Sequence, residues 1–456
     1  MKKTWIVILL AIFAAAPALA AADRPNIVFV LFDDIGYGQP QSYRGDSSFK
    51  MPNIDRLAKE GMRFIDAHSA AANCTPTRYG VLTGRYPSRI GQYGVLKTYS
   101  APIIPKTRLT VASFLKGQGY HTACIGKWHL GMKWVDGKPG QEKQLPIGAK
   151  LTDGPNAVGF DYFYGFTHAR NIGSIIEQDR VVANVKGIEN QPLMIRKAVK
   201  YIEERSKEKK PFFLYFPMCP PHSPVVPAPE FVGKSGIAGK EGKYADWVYQ
   251  GDHMLGELLD ALERTGQAKN TLVIATGDNG AANRPYPPLR ASKSSIYEGG
   301  HREPFIARWP GKIRAGSLNS DIICLNDLFA TCADILDATL PGNCAEDSVS
   351  ILPCLLGTAK GPVREATVHQ SPKRTGKLSI RQGPWKLIFG QDEERELYNL
   401  QSDLSETKNV ASAHVDVVKR LEKLMRSYIE RGRSTPGPVQ KNDVDLSLDY
   451  SGRKKK

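Results

Sequence analysis

The strongest constraint on the fold is a set of short apolar runs, each closing on a polar cluster. The first is Asn26-Ile27-Val28-Phe29-Val30-Leu31-Phe32, which ends at Asp33-Asp34. It is continuous rather than alternating and rich in β-branched and aromatic residues, so it predicts a strand covered on both faces. Pro211 to Phe216 and Thr271 to Thr276 have the same character, and His121 to Gly126 is a further strand. Between them lie helical segments: Pro52 to Gly61, Cys74 to Leu82, Val111 to Lys116 with Gly117 as its stop, and Tyr244 to Leu262. This alternation predicts an α/β fold with a large mixed, mostly parallel sheet sandwiched by helices. The polar clusters follow strand ends, where such sheets place their sites.

After about residue 370 the texture changes. Lys377 to Arg381, Trp385 to Phe389 and Glu396 to Leu400 read as short antiparallel strands, and Val415 to Arg431 as an amphipathic helix. We therefore expect a catalytic domain over 21–370 and a smaller C-terminal α+β domain with a short antiparallel sheet over 371–433. A polar, mobile basic tail is expected over 434–456.

The chain begins Met1-Lys2-Lys3, runs apolar from Trp5 to Ala16 and reaches Ala18-Leu19-Ala20, which reads as a signal peptide over 1–20. The mature protein is expected to be periplasmic or secreted, with no stable membrane insertion after cleavage. The formal charge of +16 suits a polyanionic partner such as a sulfated glycan. No helix-turn-helix, zinc-finger or RNA-binding signature accompanies it, so nucleic acid is not expected. Seven cysteines, an odd count, leave at least one unpaired, and Cys74 is the natural candidate. Cys324 and Cys332 are spaced too far apart along a helix to bridge. Cys344 with Cys354 could close a loop, but spacing does not fix a pairing.

Three requirements define a site for cleaving a bound oxyanion ester, a sulfate ester among them: a nucleophile, positive charge for the non-bridging oxygens, and a proton for the leaving oxygen. Cys74, in Asn73-Cys74-Thr75-Pro76-Thr77-Arg78-Tyr79-Gly80-Val81-Leu82-Thr83-Gly84, stands at a helix start whose free N–H groups favour an anion, and Arg78 adds a fixed cation. Asp33-Asp34 and Asp278-Asn279 are hard oxygen donors at two strand ends. Either pair alone fits turn or capping residues; together they fit Ca²⁺ or Mg²⁺ better than zinc. Lys127 and His129 lie two apart in an extended stretch and so share a face. One can hold an anion while the other moves a proton. His222 sits in the stiff loop Pro220-Pro221-His222-Ser223-Pro224. Lys293 is a second candidate sulfate-binding cation, though alone it is indistinguishable from a surface lysine.

Across residues 25–409 the chain resembles the type I, formylglycine-dependent sulfatases, the arylsulfatase family of the alkaline phosphatase superfamily. The segments Cys74 to Gly84 and Gly119 to Gly131 carry the resemblance, supported by Thr276 to Gly280 and Tyr297 to Pro304. It implies an alkaline phosphatase-like sheet and an exported sulfatase that hydrolyses sulfate monoesters. It implies that a formylglycine-generating maturation enzyme oxidises Cys74, and that the hydrated gem-diol forms a sulfated-enzyme intermediate. It further implies one Ca²⁺ held by Asp33, Asp34, Asp278 and Asn279, with Mg²⁺ the alternative. Arg78 would stabilise the formylglycine, Lys127 and Lys293 would bind sulfate, His222 would protonate the leaving alcohol and His129 would take a proton from the second hydroxyl. Asn279 replaces the histidine of two-zinc phosphatases, which favours one metal, and Thr77 replaces a common serine with a residue that keeps the small hydroxyl.

Charge and export favour a sulfated glycan fragment, such as an N-acetylgalactosamine or galactose sulfate. His168, Arg170 and His301 are candidate contacts to the leaving-group side, with packing the competing reading. Two other functions fit the same residues: a phosphoester or phosphonate hydrolase, and a non-catalytic sulfoglycan-binding protein. Intact proton-transfer candidates argue against the second.

Overall fold

The structure, a computed structural model, describes residues 24–372, 378–390 and 394–448. The expected signal peptide, Lys377 and the run Arg453 to Lys456 lie outside the described residues.

Strand Asn26–Asp33 is the centre of the main sheet. It pairs in parallel with Thr271–Gly277 on one side and Phe212–Pro221 on the other. Phe212–Pro221 pairs in parallel with His121–Lys127, which pairs in parallel with Tyr162–Phe166. Arg302–Arg308 then runs antiparallel to Thr271–Gly277, and Met62–His68 antiparallel to Arg302–Arg308. The sheet is therefore mixed, with its parallel strands central, as the apolar runs predict.

Side-chain alternation along the central strand divides the core. Ile27, Phe29 and Leu31 pack into one apolar cluster with residues of helices Cys74–Thr83, Val111–Gly117 and Leu328–Ile335. Val28, Val30 and Phe32 pack into another with Pro52–Glu60, Gly187–Arg205 and Gly242–Arg264. Both faces are thus buried, which explains the unbroken apolar sequence. Each such Ile, Leu or Phe contributes about 1.5–3 kcal/mol by leaving water.

The five parallel strands bring five carboxyl ends to one edge of the sheet. The segments that follow them carry Asp33 and Asp34, Asp278 and Asn279, His222, Lys127 and His129, and His168 and Arg170. This juxtaposition is the main consequence of the topology for function.

A four-stranded antiparallel sheet follows, in the order Thr367–Gln370, Leu378–Gln382, Trp385–Phe389, Arg395–Asn399. Helix Val415–Glu430 lays Val417, Leu421, Met425 and Tyr428 on it, a stripe at helical spacing. The first strand begins ahead of the expected boundary at 370, and Gln370 bridges to Ala71 of the catalytic body. The expected mobile tail differs through residue 448. The Ser434 amide donates to Asp347 at 3.0 Å, Arg89 donates to Asn442 Oδ1 at 2.9 Å, and Leu448 is buried. Its polar residues make hydrogen bonds to the body instead of solvating a free end. All seven cysteines are free and buried, Cys344 and Cys354 included.

Candidate active site

The acidic floor forms first from backbone. Asp34 adopts φ 69°, which turns the chain sharply as strand 26–33 ends. For a non-glycine residue that conformation is costly, and such residues concentrate at functional sites. The Asp34 amide donates to Asp278 Oδ1 at 3.1 Å and the Asp278 amide to the Phe32 carbonyl at 3.0 Å. Two neighbouring strand ends are thereby locked, and Asp33, Asp34 and Asp278 each present an oxygen within 4.8 Å of the others.

Three buried carboxylates repel one another unless cations offset them. Each has one. Lys127 Nζ donates to Asp33 Oδ2 at 2.5 Å, Lys293 Nζ donates to Asp34 Oδ1, and Arg78 donates to Asp278 Oδ2 at 2.7 and 3.1 Å. Burial works against the Asp33 carboxylate, yet Lys127, His222 and Arg78 hold it well below the usual range. Burial and the charge of Asp33 push Asp278 up, with Arg78 opposing. Burial works against the Lys127 ammonium, but Asp33 keeps its value raised.

The charges balance, but the oxygens are not all satisfied. Asp33 Oδ1 and Asn279 Oδ1 are buried without a hydrogen-bond partner among the described residues, the former 3.6 Å from the Arg78 guanidinium. Buried orphan oxygens are costly. Three carboxylates and an amide oxygen are also the donor set of a hard divalent cation, so the residues present fit one. Asn279 Nδ2 donates to Asp34 Oδ1 at 2.7 Å, which places the amide in the cluster.

Helix Cys74–Thr83 carries Cys74, the candidate nucleophile. Asn73 is extended and the helix begins at Cys74, so the unpaired amides of the first turn lie there. Every residue of this helix is buried, and it closes on Gly84 in a left-handed conformation at φ 64°. Arg78 lies one turn after Cys74 and so projects from the same face. Its third bond, to the Lys127 carbonyl at 3.1 Å, ties the helix to strand 121–127. Thr75 Oγ1 donates to the His129 carbonyl at 3.0 Å, and Thr77 Oγ1 donates to the Ala71 carbonyl at 2.8 Å, so the hydroxyl at 77 has a structural use. Lys293 Nζ lies 3.9 Å from Cys74 Sγ. Burial pushes the Cys74 thiol up, with Lys127 and Lys293 opposing.

Above this floor opens a cleft of about 490 Å³ lined by Cys74, Lys127, His129, His168, His222 and Lys293, with Arg170 at its rim. His222 Nε2 is 3.8 Å from Asp34 Oδ2, and Trp247 Nε1 fixes the His222 carbonyl at 3.0 Å. His129, at φ 59°, donates from Nε2 to the Leu96 carbonyl at 3.0 Å. This tautomer leaves Nδ1 as an acceptor, and Nδ1 is buried without a partner among the described residues. Burial, then Lys127 and His168, hold the ring well below its usual value, so it is neutral. His168 lies against His129 with ring centroids 5.4 Å apart.

The structure thus gathers Cys74, Arg78, Lys127, His129, His222 and Lys293 with the acidic cluster, and sets His168 and Arg170 at the outer wall. His301 is the exception and corrects the sequence expectation. It is fully buried away from the cleft, stacked on His369 at 4.1 Å, 3.1 Å from His68 Nδ1 and 3.0 Å from Lys386 Nζ. It stands where the short helix Glu298–His301 enters strand Arg302–Arg308, so its ring faces the C-terminal sheet. Sequence reasoning also missed the loop at Leu96, Lys97 and Thr98, and Glu142, which line or brace the cleft. They lie in irregular segments without a motif, so no local signal marks them.

A sheet edge carrying a buried helix-start cysteine, an acidic cluster whose oxygens could hold a metal ion, and flanking lysines and histidines fits a hydrolase of anionic esters. Comparison with known proteins gives the particular family. The sulfatase family model matches residues 25–338, and that of the N-sulphoglucosamine sulphohydrolase C-terminal region matches 291–431. An N-acetylgalactosamine-6-O-sulfatase of Bacteroides thetaiotaomicron is 30% identical, over 90% of this chain and 94% of that protein. Human arylsulfatase A is 33% identical, over 83% of this chain and 77% of that protein. A solved structure from work on the metabolism of multiple glycosaminoglycans by Bacteroides thetaiotaomicron superposes with a TM-score of 0.81 at 30% identity. It covers 89% of this chain and 99% of that one. The chain belongs to the sulfatase family, the sulfuric ester hydrolases of the alkaline phosphatase superfamily.

Proposed function

We propose that this chain releases inorganic sulfate from a sulfated carbohydrate, with Cys74 matured to formylglycine. The observation that carries the reading is the convergence of Cys74, Lys127, Lys293, His129 and His222 on one cleft whose floor is the acidic cluster. A raised thiol makes a poor thiolate nucleophile, which favours a modified residue at 74. Formylglycine, when hydrated, supplies a hydroxyl for attack on sulfur and a second hydroxyl for release of sulfate. Asp33, Asp34, Asp278 and Asn279 would hold one Ca²⁺, which supplies positive charge for sulfate oxygens.

The chain's own residues then divide the work. Lys127 and Lys293 bind the non-bridging oxygens, and Arg78 fixes positive charge beneath residue 74. His222 Nε2 faces the cleft and delivers a proton to the leaving oxygen. The bare Nδ1 of His129 accepts a proton, for which a neutral ring is required. The three carboxylates and three cations sum to zero, so a bound divalent cation leaves an excess positive charge that an anionic ester offsets.

We further propose export by the leader read over 1–20 and maturation by a formylglycine-generating enzyme. Among the described residues no helix is long and apolar enough to cross a membrane. Of the two expected sugars, an N-acetylgalactosamine or a galactose sulfate, the relatives' named activities support the N-acetylgalactosamine sulfate. The test is sulfate release from a panel of sulfated mono- and oligosaccharides plus an aryl sulfate, after co-expression with the maturation enzyme. Release that disappears in Cys74→Ala supports the reading. Phosphate release from phosphoesters, with no sulfate release and the aldehyde confirmed by mass, would overturn it.

A further inference from the structure

The cations of the cleft fall into two groups. Lys127, Lys293 and Arg78 each contact a carboxylate of the floor. Lys97 and Arg170, at the outer wall, are exposed, and neither side chain has a hydrogen-bond or ion-pair partner among the described residues. Glu142 is the carboxylate of that wall among the described residues, and it pairs with neither. Two free cations at the mouth of a cleft that already holds its cations for one sulfate are left unexplained by the reaction.

Their backbones are not loose. Leu96, next to Lys97, takes the His129 Nε2 bond at its carbonyl and donates its amide to Thr75 Oγ1 at 3.2 Å. Thr98, on the other side, bonds His168 Nε2 at 2.9 Å and the Glu142 carbonyl at 3.1 Å. Arg170 follows the same histidine: its amide donates to His168 Nδ1 at 3.2 Å. Asn171, next to it, donates to that same Glu142 carbonyl at 3.0 Å. Buried His168, with both ring nitrogens used, is therefore the common post on which both cationic segments are mounted. Burial lowers His168 to about 4, with Lys127 and Arg170 adding to the effect, so the post is neutral and the charge of Arg170 reaches into the cleft.

We infer that Lys97 and Arg170 form an anion subsite for a second negative group, carboxylate or sulfate, on the same sugar chain as the ester that is cleaved. The inference rests on the sulfatase reading and narrows it: the preferred substrate is a doubly anionic glycan fragment rather than a singly sulfated sugar. A planar guanidinium suits a planar or tetrahedral oxyanion, and Lys97 adds a mobile point charge.

The test uses the matured full-length protein and three substrates. These are a singly sulfated monosaccharide, the same sugar joined to a hexuronate, and the same sugar with a second sulfate. We expect kcat/KM to be roughly five- to tenfold higher for at least one doubly anionic substrate, through KM, as suits two exposed charge pairs. The arm that shows the preference identifies the group. In Lys97→Ala/Arg170→Ala that ratio should collapse toward one. Raising NaCl from about 50 to about 200 mM should shrink it in the parent, because exposed charges are screened. Equal kcat/KM for all three substrates, or a preference that survives in the double variant, would overturn the subsite while leaving the sulfatase standing. Absence of sulfate release from every substrate, the aryl sulfate included, would instead remove the functional reading itself.

Discussion

Replacing Lys386 with methionine should separate the two sheets energetically. Lys386 is wholly buried where the C-terminal sheet meets the catalytic body. Its Nζ lies 3.0 Å from Glu298 Oε1, 2.8 Å from Glu406 Oε1 and 3.0 Å from His301 Nε2. Glu298 retains Arg302 at 3.2 Å and Arg381 at 3.4 Å after the change, but Glu406 keeps no cation partner among the described residues. Methionine matches the stem in volume, so the cost is electrostatic. Leaving one partner of a buried pair uncompensated costs about 3–5 kcal/mol. On a chain of this size that is a fall in Tm of roughly 3–6 °C. Thermal unfolding followed by circular dichroism at pH 7 measures it. Lys386→Met/Glu406→Gln removes the stranded charge with its partner, so its loss should be clearly smaller than that of the single variant. A single variant within about 1 kcal/mol of the parent would refute the reasoning, as would a double variant that is additively worse.

The same network sets the pH dependence. Burial holds His68, His301 and His369 below the ordinary histidine value. Below about pH 6.5 the unfolded chain binds protons that these folded rings refuse, so stability should fall as pH drops through that range, and a flat profile between about pH 7 and 5 would count against it. Glu298 is held well below 4.5 despite its burial by Lys386, His68 and Arg381, so its contribution persists to lower pH before it too is lost. Asp33→Asn should weaken stabilisation by Ca²⁺, read as a smaller thermal shift on Ca²⁺ titration than the parent shows, because it removes one charged donor beside the orphan oxygens. His222→Gln should lower kcat on alkyl sulfates by about 10²-fold or more, but much less on an aryl sulfate whose leaving group needs no proton. Gly126→Ala should fail to fold normally, seen as loss of soluble protein or of cooperative unfolding, since its Cβ would lie 2.1 Å from the Pro217 carbonyl at φ 133°.

The sequence by itself determined the strands and their chemistry. The unbroken run at 26–32 encodes a doubly covered strand because no face is left for water. The acidic pairs and the cysteine segment were legible because each is a local pattern at a strand or helix end; Lys127 and His129 do line one cleft, but His129 gets there through a left-handed residue at φ 59° rather than the extended stretch expected. The tertiary structure decided which of these patterns meet. Five parallel strands lying side by side bring Asp33, Asp278, His222, Lys127 and His168 to one edge, although up to 245 positions separate cluster partners such as Asp34 and Asn279. The same long-range pairing sends His301 away from the cleft into the domain interface, which its neighbourhood in sequence could not reveal. It also turns the polar tail through 448 into a bonded strap and makes Lys97 and Arg170 neighbours of one histidine. Local physics writes itself into neighbouring residues, whereas the direction of a side chain and the partner of a charge depend on strand order, which no short stretch of sequence contains.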